Sequence, residues 1–445
     1  MFEFLRRENP SIGTVFFRGN LVPRAEEFDF MRRHGVEITP RANNSPASWV
    51  LTLRHAKWGE ATMICGQDQP PFDPMFIDYQ NGLTDAEKGE AKAAGKGVSF
   101  SVPAARKNVL RDRKNLLKFM ASAMGRDAVV ALDHLSTLFW TREMLKEELS
   151  HDADLDIAAI FAIHAVCDDT NAESPRASWI HTHGLGELGA FDFDIVRPSK
   201  EFSADCSGFV SAMAQAVLEG AVKPDTPEFM IAHPGGVVRM VPAADFDREA
   251  PPEDVALRGG GNEPGHTDAR SVLCEPAKRG LMSRMLGKGG GVRPSRFCSE
   301  GSLEGVVLRI SSAATDLMSA RAAATTGVFR AFLEEFREFE LPALVKMGYP
   351  TDAEGEGGRE HLWFEVHEVF DDGVDATLVN QPHDIASMRQ GQRGRHPFTR
   401  LTDWTIMSPF GAITPSGLSN ARVLRQNAPM LREMLAKARD QGRGA

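Results

Sequence analysis

Trp179 to Val196 reads WIHTHGLGELGAFDFDIV, and the long apolar run Ile157 to Cys167 lies just before it. Trp179, Ile180 and Thr182 are strand formers, Gly184, Gly186 and Gly189 punctuate a turn, and Phe191 to Val196 resumes strand character. Side chains alternate along a strand, so His181 and His183 share one face while Ile180 and Thr182 take the other. Asp192 and Asp194 alternate with Phe191, Phe193 and Ile195 in the same way. Two imidazoles on one face are half of a transition-metal site, because neutral imidazole is a common nitrogen ligand. The metal reading takes His181, His183, Asp192 and Asp194 as ligands, with His164 or Asp133 as further sources. The competing reading is a polar strand end whose imidazoles are satisfied by backbone groups. A metal would need deprotonated imidazoles, so its binding should weaken as pH falls through about 6.5.

Working outward, the first 130 residues alternate. Ile12 to Arg18 reads as a strand and Arg24 to His34 as an amphipathic helix closed by Gly35. Trp49 to His55 and Glu60 to Cys65 form a strand pair, and a helix runs from about Pro103 to Met124. Ala128 to Leu132 follows as a short buried strand. This β-α-β-β-α-β order matches the ferredoxin-like arrangement. The run Ile157 to Cys167 is long enough only for a buried strand. A helix from about Ser203 and a strand at Val237 to Val241 complete a mixed sheet-and-helix body over residues 1–250.

Residues 251–302 hold 10 Gly and 5 Pro in 52 positions, with clusters at Gly259 to Gly261 and Gly289 to Gly291, and read as a linker or mobile loop. Residues 303–445 read as a strand at Gly305 to Ile310, a helix from Ala313 to about Glu340, and a small β-rich module. Phe329, Phe332, Leu333, Phe336 and Phe339 recur at helical spacing and read as core. Asp371-Asp372-Gly373 between alternating segments is a hairpin signal. Helical character over Ala421 to Ala438, interrupted by Pro429, closes the chain. The expected class is α+β.

Hydrophobic and charged contents of 42% and 25% are those of a globular protein. The net charge of −10 argues against nucleic acid or an anionic membrane as partner. No apolar segment approaches a bilayer span, and the charged N-terminus MFEFLRREN is unlike a secretory leader, so a cytoplasmic location is expected. The five cysteines are scattered and odd in number, without C-x-x-C, and read as reduced and mostly buried.

Asp205-Cys206-Ser207-Gly208-Phe209 looks like the nucleophile motif of the NlpC/P60 cysteine peptidases, for which His233 or His266 would be the base. Against it, Cys206 precedes Phe209 and Val210 by one turn on the apolar side of its helix, where a thiol is inert. No H-E-x-x-H, G-x-S-x-G or G-x-G-x-x-G occurs, so no catalytic residue is assigned.

Residues 360–407 carry a resemblance. Glu360, His361 and Trp363, then Asn380 and Pro382, Gly391, and the closing pair Asp403 and Trp404 resemble the small YegJ-like bacterial domain of unknown function, over roughly residues 325–426. The WIHTHGL stretch is similar to an uncharacterised bacterial family found fused ahead of that domain. The resemblance implies a bacterial origin and two parts, and it brings no activity. Trp404, Asp403 and His361 are its candidate binding residues, with Trp404 also the natural core anchor. The expectation for the whole chain is a non-enzymatic protein-binding scaffold. A basic, toxin-like protein is the partner its charge would suit. A metal-dependent hydrolase at His181 and His183 is the alternative, and a divalent metal is the one cofactor the pattern admits.

Overall fold

The computed structural model describes residues 10–19, 23–41, 48–65, 75–78, 80, 82–94, 96–104, 106–168, 176–186, 188–258, 270–277, 292–304, 306–308, 312–352 and 358–442. The chain forms two units that interleave along the sequence. One takes residues 1–71, 95–139 and 157–311, and the other 72–94, 140–156 and 312–445. The class is α+β, with helices packed on sheets that are mostly antiparallel.

The first sheet of the first unit contains β1 (Pro10–Phe17), β2 (Glu37–Pro40), β3 (Trp49–His55), β4 (Gly59–Cys65), β5 (Lys96–Pro103), β6 (Ala128–Asp133) and β7 (Leu138–Trp140). Their order is β2-β3-β4-β5-β1-β6-β7. This differs from the ferredoxin-like expectation. β1 lies between β5 and β6, both antiparallel to it, so the intervening helix does not cross over between parallel neighbours. The difference traces to β5, where Val98, Phe100 and Val102 are buried. KGVSFSVP ends at Pro103, the residue at which the sequence suggests a helix start, so its strand character is easily passed over. The helix Val109–Ala123 begins later and buries Leu116, Phe119 and Met120.

The second sheet carries β8 (Ala162–Asp168), β9 (Arg176–His183), β10 (Asp192–Val196), β11 (Phe229–His233), β12 (Gly236–Pro242), β13 (Arg270–Cys274) and β14 (Val307–Leu308). Its order is β14-β11-β12-β13-β10-β9-β8. β8 is therefore an edge strand. The reading of Ile157 to Cys167 as one buried strand is corrected: Ile157–Ala159 is a turn of 3-10 helix, and Ala165, Val166 and Cys167 are exposed. The linker reading of residues 251–302 does not hold for its described parts. Pro252–Leu257 and Arg296–Glu300 are helical, and β13 runs parallel to β10 in mid-sheet with all five residues buried. A five-residue strand covered on both faces has no alternation to betray it. Both glycine clusters lie outside the described residues.

The second unit holds an antiparallel sheet of β15 (Ala343–Pro350), β16 (Arg359–Val369), β17 (Gly373–Leu378), β18 (Arg393–Pro397) and β19 (Leu401–Ile406), in the order β18-β17-β16-β15-β19. The Asp-Gly hairpin joins β16 to β17 as expected, closed by Phe370 N–H to the Gly373 carbonyl at 2.8 Å. Helices Ser312–Ala324, Thr326–Glu335 and Asn420–Gly442 accompany it. Phe329, Phe332, Phe336 and Phe339 join Val345, Phe364 and Trp404 in one core. Among the described residues no helix is long and apolar enough to cross a membrane.

Candidate metal centre

β8 and β9 pair antiparallel with His164 directly opposite His181, and His183 lies two residues further along β9 on the same face. Strand register thus brings together two histidines separated by one residue, His181 and His183, and a third 17 positions upstream of His181. One ligand-type nitrogen from each of His164, His181 and His183 lies within 4.8 Å of the others. Their ring centroids are 5.3 Å apart for His164 and His181, 4.7 Å for His164 and His183, and 4.8 Å for His181 and His183. Zinc held tetrahedrally by nitrogens at about 2.05 Å needs those nitrogens about 3.4 Å apart.

The surroundings fix two sides of the cluster. Trp179, two residues before His181 and on the same face, stacks on its ring at 3.9 Å, and His181 is buried. His164 and His183 are half-buried. Gly184 follows with φ of 108°, and a Cβ there would stand 2.9 Å from the Leu135 carbonyl oxygen, so only glycine lets the chain turn directly behind His183.

The aspartates expected as ligands are engaged by other groups, although Asp194 lies directly opposite His181 in the β9–β10 register. Asp192 accepts from the Thr182 hydroxyl at 2.8 Å, from Gly186 N–H at 3.0 Å and from Leu185 N–H at 3.3 Å, shaping the turn after β9. Asp194 is fully buried and clamped by two buried arginines. Arg258 Nε donates to it at 2.6 Å, and Arg270 donates through Nη2 at 2.5 Å and Nε at 3.1 Å. Arg258 also reaches Asp247 at 2.7 Å, and Arg270 the Thr182 carbonyl at 3.0 Å. Asp133 pairs with buried Arg113 and accepts from Leu135 N–H at 3.0 Å. The sequence therefore marked two of the three converging histidines and named the third, His164, among several candidates. It gave no sign that residues 258 and 270 would take Asp194 away.

The other candidates sort by burial. Cys206 is buried, and that burial pushes its thiol up, the reverse of what a cysteine nucleophile requires. His233 is exposed, and His266 lies outside the described residues. Cys65, Cys274 and Cys298 are buried as expected, whereas Cys167 is exposed. Trp404 is removed from any surface contact: it is fully buried, donates Nε1–H to the Thr325 hydroxyl at 2.9 Å and packs on Phe329. Asp403 accepts the Trp404 N–H at 2.8 Å, and burial pushes its carboxyl up to about 6. His361 Nδ1 meets the Thr402 hydroxyl at 3.0 Å, and burial, with Lys346 and Arg359 nearby, lowers its pKa.

Comparison with protein families places residues 163–249 in a model described as protein of unknown function (DUF4026) C-terminal. Residues 316–416 match an uncharacterized protein conserved in bacteria (DUF2314). His164, His181 and His183 all fall within the first match, and the stretch carrying the sequence resemblance lies mostly within the second. No curated protein and no solved structure matches the chain.

Proposed function

We propose that this chain is a binding protein whose first unit holds a divalent transition-metal ion on His164, His181 and His183. The observation that carries the reading is the convergence of three imidazole nitrogens within 4.8 Å on one sheet face. An all-nitrogen donor set suits zinc, cobalt, nickel or copper and is poor for magnesium, calcium or manganese. A binding role is preferred to hydrolysis because both neighbouring carboxylates are engaged: Asp192 by the turn it caps and Asp194 by two guanidiniums. Neither carboxylate is therefore free to assist a metal-bound water as general base.

The test is metal content and melting temperature for wild type, His164→Ala and His181→Ala with His183→Ala, each with and without chelator. Wild type should take up one zinc per chain and melt higher with zinc than with chelator. Zinc at a hundredfold excess over its dissociation constant stabilises by about 2.7 kcal/mol. Both variants should lose that difference. A wild type with no zinc and an unchanged melting curve would end the metal reading and leave the three rings as a packed polar cluster.

Net charge of −10 supports a second, compatible reading, in which the protein recruits a basic protein partner, toxin-like in charge, in the cytoplasm. Co-purification from the native host at low and high salt tests it, since a charge-steered partner should be retained only at low salt.

A further inference from the structure

Three histidines leave a tetrahedral ion one open position, and the charge around the cluster selects what enters it. Neutral imidazoles bring no charge, so a divalent ion keeps both of its own. Around it, Arg258 and Arg270 offset Asp194 and Asp247, with which they are bonded. Even counting the full charge of Asp192 against the ion, one positive charge remains. With His181 buried under Trp179, that excess is poorly screened by solvent.

The way in is set by the fold. Trp179 covers His181, whereas His164 and His183 are half-buried and His164 sits on edge strand β8, followed by the exposed Ala165, Val166 and Cys167. The exposed side of the cluster is therefore the β8 rim. The charge left over matches one monoanion, and both arginines beside the cluster are committed to aspartates. A phosphate dianion, the main form above about pH 8, would bring more charge than the site leaves over and would find the guanidinium forks nearby already occupied.

We propose that the open position takes a small monovalent anion, of which a carboxylate bound to the metal through one oxygen is the form tested. This rests on the metal reading above, and the two can fail separately. The experiment loads the full-length chain with cobalt(II), measures bound cobalt by elemental analysis, and follows the visible d–d bands. Acetate is titrated at constant ionic strength against perchlorate, with acetamide and inorganic phosphate in parallel. Acetate should shift the bands to saturation, with acetamide and phosphate each at least about tenfold weaker. Bound cobalt with bands indifferent to acetate overturns the anion site and leaves the metal site standing. An equal response to acetamide overturns the charge argument, and tighter phosphate overturns the choice of a monoanion. Failure to bind cobalt at all removes both readings. His164→Ala, checked for folding by circular dichroism, should lose the acetate shift.

Discussion

Asp403 sits beside a core tryptophan, and its carboxyl is held near 6 against an ordinary 3.8, first because burial disfavours the charge; Asp156 adds to this and Lys346 opposes it. The folded protein thus binds this proton more tightly than the unfolded chain does. The sign follows: Asp403 costs nothing below about pH 3.8, and its penalty grows as pH rises to about 6 and stays above it. The shift corresponds to a cost on the order of 3 kcal/mol at neutral pH. Asp403→Asn keeps the oxygen that accepts the Trp404 N–H and removes the charge. It should raise the urea midpoint at pH 7, and the gain over wild type should shrink as pH falls from 6 towards 4. An equal effect at both ends of that range would show that the carboxylate's desolvation is not the cause.

At the scale of elements, legibility followed alternation. The Phe-bearing helices, the Asp-Gly hairpin and β9 were readable because each shows its period in its own residues. β13 was not, since RSVLC is buried on both faces and lies in a glycine-rich neighbourhood. Its place depends on Asp194, which joins β10 to Arg270 at the head of β13 and to Arg258 at the end of the helix Pro252–Leu257. Partners 64 and 76 residues away leave no local trace, which is why Asp194 passed as a metal ligand. The histidine pair was legible as a same-face pair, while His164 became their neighbour only through the β8–β9 register. Asp194→Ala takes from Arg270 its carboxylate and from Arg258 the buried one of its two, and should cost about 3–5 kcal/mol. The triple change Asp194→Leu, Arg258→Met and Arg270→Met should recover much of this, because no buried charge is left without its counterion. Chemical denaturation of both variants decides. A near-neutral Asp194→Ala would mean that the two arginines find other partners.

At the scale of the whole molecule, the chain order and the packing order part company. The sequence suggested a cut between residues 250 and 303, but the second unit draws on residues 72–94 and 140–156 as well as 312–445. Those early segments supply partners that the late one needs. Arg321, buried to 1% exposure, donates to Glu148 at 3.2 and 3.1 Å and to the Asp154 carbonyl at 2.5 Å. Arg425 reaches Glu147 at 2.5 Å as well as Glu335, and Arg422 reaches Thr141 at 2.7 Å and also Glu87. A fragment of residues 303–445 retains the five-stranded sheet and its apolar core but leaves Arg321 without its carboxylate. Losing the partner of a buried charge costs about 3–5 kcal/mol, a large part of a small domain's stability. The isolated fragment should therefore have native-like far-UV circular dichroism at best with a much lowered melting point. Arg321→Met, which removes the stranded charge and keeps the volume, should raise that melting point in the fragment while lowering it in the full chain, where Glu148 would then lose its partner. A fragment that melts as the intact chain does, or an Arg321→Met change of the same sign in both, would show that the early segments are dispensable to this unit.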